Sequence, residues 1–185
     1  MFLVRFIVRL VLFVVALAIV VAGAVWLVSG RGFSAREQPS AVEESVASRL
    51  RSLAMARDAA SKRNPIAATP GEIREGMAHF ADHCAVCHGN EGDGTGAFAA
   101  GLYPKPPDLR DARTQSLSDG ELFYVIENGI RFTGMPAFGG QHPGDTDSWR
   151  LVLFIRHLPK LTAHERAEMK RLNPVSPAGH EDHER

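Results

Sequence analysis

Hydrophobic and polar positions change their pattern several times along the chain. From Leu10 to Val28, nineteen residues carry no charge. As a helix that run is about 28 Å long, close to the hydrocarbon thickness of a bilayer. Arg5 and Arg9 precede it, and basic residues on a short leading end favour keeping that end in the cytoplasm. Residues 1–29 are expected to form a transmembrane anchor with Trp26 at an interface and the rest of the chain on the exported side. A cleaved signal peptide is the alternative, because Ala22-Gly23-Ala24 resembles a small-residue cleavage site. Against cleavage, apolar residues continue through Val25-Trp26-Leu27-Val28.

Residues 30–70 read as a stalk or linker. Ser40 and Glu43 make a capping box, and Val42, Val46, Leu50 and Leu53 then recur at helical spacing. This short amphipathic helix ends before Asn64-Pro65. Lying on the membrane, packing on the next domain and acting as a partly ordered spacer all remain open for it.

A third pattern runs over 71–158. Thr69-Pro70-Gly71-Glu72 repeats the capping pattern with proline at the first helical position, and Ile73, Met77 and Phe80 share one face of the helix that follows. Glycines at 89, 92, 94, 96 and 101 then predict an irregular loop, without the Lys-Ser/Thr ending of a phosphate-binding loop. Ser118 and Glu121 open a helix with Leu122, Phe123, Val125 and Ile126 on its apolar side, stopped at Asn128-Gly129. Asp145 or Thr146 caps a last core helix carrying Trp149, Val152, Leu153 and Ile155. Residues 159–185 add one more capped helix, Thr162 to Leu172, and a tail from Asn173 expected to be mobile. Period-3.6 segments and helix caps dominate throughout, so the fold class is all-α.

Charge sharpens this division. The formal net charge is zero, but residues 71–158 hold seven basic against twelve acidic side chains, a net of minus five. Residues 31–64 hold seven basic against four acidic, a net of plus three. The stalk suits anionic lipid surfaces and the acidic domain suits basic docking patches; ordinary solvated faces are the alternative. Nucleic-acid binding has no support in this distribution.

Chemistry concentrates in one pentapeptide, Cys84-Ala85-Val86-Cys87-His88, which contains both cysteines of the chain. C-x-x-C-H is the attachment sequence for a c-type haem: two thiols three positions apart add to the two vinyl groups of one porphyrin, and the following histidine ligates the iron. A disulfide between Cys84 and Cys87 would leave His88 unexplained. A thioredoxin-like pair should follow a strand, and a zinc site would need further ligands at metal spacing beyond nearby His79 and His83. One methionine is framed for the opposite side of the iron: Met135, between Gly134 and Pro136 in a stiff loop. Met/His ligation raises a haem's reduction potential; a buried gap-filler is the ordinary job of methionine.

These residues give residues 71 to about 158 a resemblance to the class I cytochrome c domain of small bacterial membrane-anchored c-type cytochromes. It rests on Cys84, Cys87 and His88, on the Gly134-Met135-Pro136 loop and on the aromatic-bearing last helix around Trp149. The resemblance implies about three to five helices wrapped on one covalent haem c, held by Cys84 and Cys87 with His88 and Met135 as axial ligands. It implies that a carbonyl from Tyr103-Pro104-Lys105-Pro106-Pro107 holds the His88 ring, and that Gly76 and Phe80 cross Trp149 and Leu153.

The expected function is one-electron transfer rather than enzymatic catalysis. The carrier would be tethered to a bacterial inner membrane with the haem domain facing the periplasm, and its partners would be membrane-embedded redox complexes or soluble redox proteins. A haem subunit of a larger dehydrogenase or oxidase is the first alternative, and a gas sensor or peroxidase with a labile Met135 is the second. The tail histidines His180 and His183 are candidate copper or zinc ligands, although two histidines among charges are ordinarily solvated.

Overall fold

The computed structural model describes residues 2–32, 34–55, 59–140 and 146–174. Asp145, His180 and His183 lie outside the described residues. Among the described residues every regular element is helical. The chain divides into two compact units, Met1–Ser34 and Ala35–Arg185.

The first unit is one helix, α1 (Phe2–Arg31), which starts eight residues before the charge-free run. Its segment Phe2–Leu27 is long and apolar enough to cross a membrane, a test that a signal sequence also passes.

The second unit opens with α2 (Ala41–Ala54). Both bonds of its capping box form: the Glu43 N–H donates to Ser40 Oγ at 3.3 Å, and the Ser40 N–H donates to Glu43 Oε2 at 2.7 Å. Val42, Val46, Leu50 and Leu53 remain exposed. The helix touches later parts of its unit through polar groups, with Tyr103 Oη donating to Glu43 at 3.1 Å and Arg113 paired with Glu44.

The stretch before Thr69 is not spacer throughout. Ala59, in a 3-10 turn over Ala59–Ser61, is only 1% exposed. The Asn64 side-chain amide donates to the Trp149 carbonyl at 3.0 Å. The packed body therefore begins ahead of residue 71.

Helix α3 (Pro70–His79) carries Gly76 and Met77 into the core. Its N-cap forms on one side only: Thr69 Oγ1 accepts the Glu72 N–H at 3.2 Å, while the Glu72 carboxylate accepts from Arg150 Nε at 2.7 Å. The last core helix, α7 (Asp147–His157), crosses α3 at Gly76. A Cβ at Gly76 would sit inside the Arg150 carbonyl, 2.8 Å from its carbon and 3.1 Å from Phe154 Cβ. Only glycine lets the backbones come this close.

Beside the crossing, the Phe80 and Phe154 rings lie 5.2 Å apart and both are fully buried. The expected partners of Gly76 and Phe80 were Trp149 and Leu153, and the observed ones are Arg150 and Phe154. Trp149 turns one position away to stack on Phe123 at 4.0 Å. Spacing alone does not separate adjacent residues on a helix that is buried over so wide an arc.

Between these two come α4 (Ala85–His88), α5 (Ala112–Gln115) and α6 (Asp119–Asn128). The α6 capping box forms in full from Ser118 and Glu121. Thr146 occupies the N-cap of α7 without a side-chain capping bond. The final helix, α8 (Ala163–Leu172), extends the body beyond Leu158. Its Met169 is 0% exposed and joins the cluster of Phe80, Phe154 and Leu158. Arg166 Nε donates to Glu91 at 3.0 Å, and Asn90 and Asn173 exchange two bonds of 2.9 Å.

Gly76→Ala should force α3 and α7 apart, lowering stability by about 1–3 kcal/mol. At Gly71 the nearest group to an added Cβ is Thr69 Oγ1 at 3.8 Å, so Gly71→Ala should be close to neutral. Chemical denaturation of the two holoprotein variants, compared with the parent, separates the outcomes.

Candidate functional site

The site is built where helix α3 changes its winding. Residues Phe80–Cys84 form a π-turn, and the Ala85 N–H reaches back five residues to the Phe80 carbonyl. The wider turn inserts about one residue of phase. Phe80 and Ala81 stay in the core, and the following turn presents Cys84, Cys87 and His88 as a group. Both thiols are free. Burial, and then the charge of Cys87, push the Cys84 pKa up to about 12; burial alone raises that of Cys87.

His88 ends the helix, and Gly89 turns the chain away. The carbonyls left over at a helix end need donors, and the glycine-rich loop supplies them. Phe98 donates to Val86 at 3.0 Å, Gly96 to Cys87 at 3.2 Å and Gly94 to His88 at 2.8 Å. The loop so folded receives the proline segment through Leu109 N–H to the Gly92 carbonyl at 2.7 Å.

The His88 imidazole is largely buried. Burial lowers its pKa, and the Pro107 backbone carbonyl, acting as an acceptor, raises it by less. The Pro107 contact falls short of a well-formed hydrogen bond. Nδ1 is the one buried side-chain polar atom without a partner among the described residues. Pro107 is the carbonyl that sequence alone did not single out from its proline segment. Next to it, the Asp108 carboxylate accepts from Arg110 Nε at 2.9 Å and Nη2 at 2.7 Å. Those bonds hold the Asp108 pKa below the usual carboxylate range, despite an opposing contribution from burial.

Met135 sits in a loop closed by its own backbone. α6 stops at Gly129, whose φ of +63° suits glycine. The Ile130 N–H then donates to the Met135 carbonyl at 3.1 Å. Thr133 bridges the loop: its hydroxyl donates to the Ile130 carbonyl at 2.8 Å and accepts the Met135 N–H at 3.1 Å. At its tip Phe132 takes a φ of +62° and is 93% exposed. A Cβ on Gly134 would meet Leu102 Cδ2 at 2.5 Å, so this loop abuts the end of the one that follows His88. Met135 itself is half-buried.

Sequence reasoning passed over Thr133, which a hydroxyl two residues before Met135 hints at, and Leu102. The π-turn leaves no sequence signal.

Comparison with known proteins decides what kind of domain this is. A family model described as cytochrome c oxidase, cbb3-type, subunit III matches residues 71–155. Residues 71–155 are a class I c-type cytochrome domain. Such a domain implies haem c.

The cytochrome domain fits that group on its own chemistry. Two free thiols one helical turn apart lie beside a largely buried imidazole whose ring meets the Pro107 carbonyl, the donor set that covalent haem attachment and iron ligation need. Among the described residues no three His, Cys, Asp or Glu side chains gather as a metal site, so the zinc alternative lacks ligands there.

Thiosulfate dehydrogenase of Stutzerimonas stutzeri is 31% identical over 103 residues, which are 55% of this chain and 30% of that protein. The chain thus spans less than a third of the length of this curated relative. In the reducing HAO-like protein complex of Kuenenia stuttgartiensis, one chain shares 25% identity over 51% of this chain and 46% of its own, with a TM-score of 0.44.

Because Asp108 has a lowered pKa in the folded cytochrome domain, it stabilises the fold above its ordinary pKa, and that contribution disappears as pH falls through the folded value. Asp108→Asn should cost below about 1 kcal/mol at neutral pH, the pair being partly solvated. The parent and variant should converge in melting temperature once the pH has fallen below the ordinary carboxylate range and through the lowered pKa of folded Asp108. Thermal melts of the holoprotein from neutral to acid pH provide the check.

Proposed function

We propose that this chain is a membrane-tethered, single-haem c-type cytochrome that carries one electron at a time between redox proteins. Cys84 and Cys87 would hold the haem through thioether bonds, and His88 and Met135 would be its axial ligands. The observation that carries this reading is the delivery of Cys84, Cys87 and a largely buried His88 at one helix end, closed by the glycine-rich loop.

The bound haem supplies an iron that alternates between its ferric and ferrous states. The chain's residues keep everything else still. The Pro107 carbonyl lies against the His88 ring, the Arg110–Asp108 pair stiffens the chain next to it, and Thr133 holds the backbone on which Met135 rides. Ligands that stay put in both oxidation states keep reorganisation small, and with both axial positions filled the chain acts as a carrier rather than an enzyme. We read α1 as an uncleaved anchor in a bacterial inner membrane, with Arg5 and Arg9 on the cytoplasmic side and the haem domain in the periplasm. Tethering raises the effective concentration of the carrier at membrane partners. The net charge of minus five over 71–158 favours partners with basic docking patches.

A second reading, a haem subunit of a larger dehydrogenase or oxidase, draws support from the oxidase-subunit description of the matching family and from the thiosulfate dehydrogenase likeness.

The test is a potentiometric titration of the full chain in detergent, with its haem content measured beside it. One haem per chain that resists acid–ketone extraction, and a single one-electron Nernst curve, are expected. Haem that extracts freely, or a curve needing two centres, would overturn the proposal. A stoichiometric subunit that stays bound through purification would favour the second reading.

A further inference from the structure

Helix α2 has an apolar stripe that no described residue of its unit covers. At 100° per residue, Val42, Val46, Leu50 and Leu53 fall within about 80° of one another. All four are exposed, Leu53 at 82%. Glu44 projects about 160° from the centre of that stripe and pairs with Arg113, while Glu43 on the flank accepts from Tyr103. The helix is thus held to its unit from its flank and from the side away from the stripe. The Arg49 side chain borders the stripe and makes no hydrogen bond or ion pair among the described residues.

We infer that α2 lies in the lipid–water interface of the membrane, its stripe of Val42, Val46, Leu50 and Leu53 in the acyl boundary and Arg49 at the lipid phosphates. Covalent reach identifies the occupant. Nine residues separate the end of α1 from the start of α2, at most about 31 Å of chain. An anchor that crosses the bilayer keeps α2 within that distance of the surface. Four apolar side chains bind a membrane weakly when free, but confinement so close supplies the effective concentration that weak binding lacks. Charge agrees, since residues 31–64 carry a net of plus three, and basic residues near an anionic surface are attracted to it.

The consequence is an orientation. Tyr103 and Arg113, which grip α2 from its flank and from behind, belong to the segment that carries Pro107. A seated α2 turns that side of the cytochrome domain toward the bilayer and leaves other faces for redox partners.

The inference rests on the anchor reading of α1, and one experiment distinguishes the two. The full-length holoprotein is placed in lipid nanodiscs containing phosphatidylglycerol, with a nitroxide on Leu53→Cys or, as control, on Ser52→Cys beside the stripe. Collision rates with oxygen, which partitions into lipid, and with a water-soluble nickel complex are then compared. The Leu53→Cys label should show an oxygen-to-nickel ratio several-fold above that of Ser52→Cys. Equal, water-like ratios in protein that stays with the discs through a carbonate wash would overturn the inference and leave the anchor standing. Close label-to-label distances between two chains would overturn it in favour of pairing through the stripe. Release from the discs by carbonate would overturn the anchor and the inference together.

Discussion

One helix has to serve two partners that lie on different sides of it. Between Pro70 and His79 its inner face must meet α7 at a backbone crossing open only to glycine at position 76. A few residues later the same helix must present Cys84, Cys87 and His88 together. Regular winding would carry the core face straight on into these three residues. The π-turn at Phe80–Cys84, closed by the bond from the Ala85 N–H to the Phe80 carbonyl, resolves the conflict. Phe80 keeps its ring on Phe154, and the thiols and imidazole emerge rotated from that face.

What surrounds the helix end follows from this arrangement. Three carbonyls at residues 86–88 point along the axis, and the loop from Gly89 curls beneath to donate to each. The loop positions Gly92 to receive Leu109, and so brings the Pro107 carbonyl against His88. The C-terminal helix braces the far side of that loop through Arg166 with Glu91 and Asn173 with Asn90, while Met169 fills the core behind it. Parts of the chain that look peripheral in sequence thus bear on the residues next to the histidine.

Legibility in the sequence divided along a physical line. The capping boxes at Ser40, Ser118 and Thr162 and the stop at Gly129 were readable because each is local chemistry within a few residues. The Thr69 cap was half right, because Glu72 left its own helix for Arg150, a partner 78 positions away. The crossing residues were placed one position off, and Ala59 and Met169 were assigned to linker and appendage although both are buried. Those outcomes depend on which faces meet in three dimensions, and an amphipathic pattern names a face without naming its partner. The candidate site follows the same rule. Cys84, Cys87, His88 and Met135 were legible as residues, but Thr133, Leu102 and the choice of Pro107 were not, since hydrogen bonds and close packing select them.

The central claim is that this helix end and the Met135 loop hold opposite sides of one iron. Absorption spectra of the matured full chain, ferric and ferrous, with and without carbon monoxide, test it most directly. The account predicts a low-spin spectrum that carbon monoxide leaves unchanged, and a Met135→Ala variant that becomes open to carbon monoxide while keeping its haem covalently bound. Ready carbon monoxide binding by the unmutated protein, or a Met135→Ala spectrum identical to the parent, would contradict it.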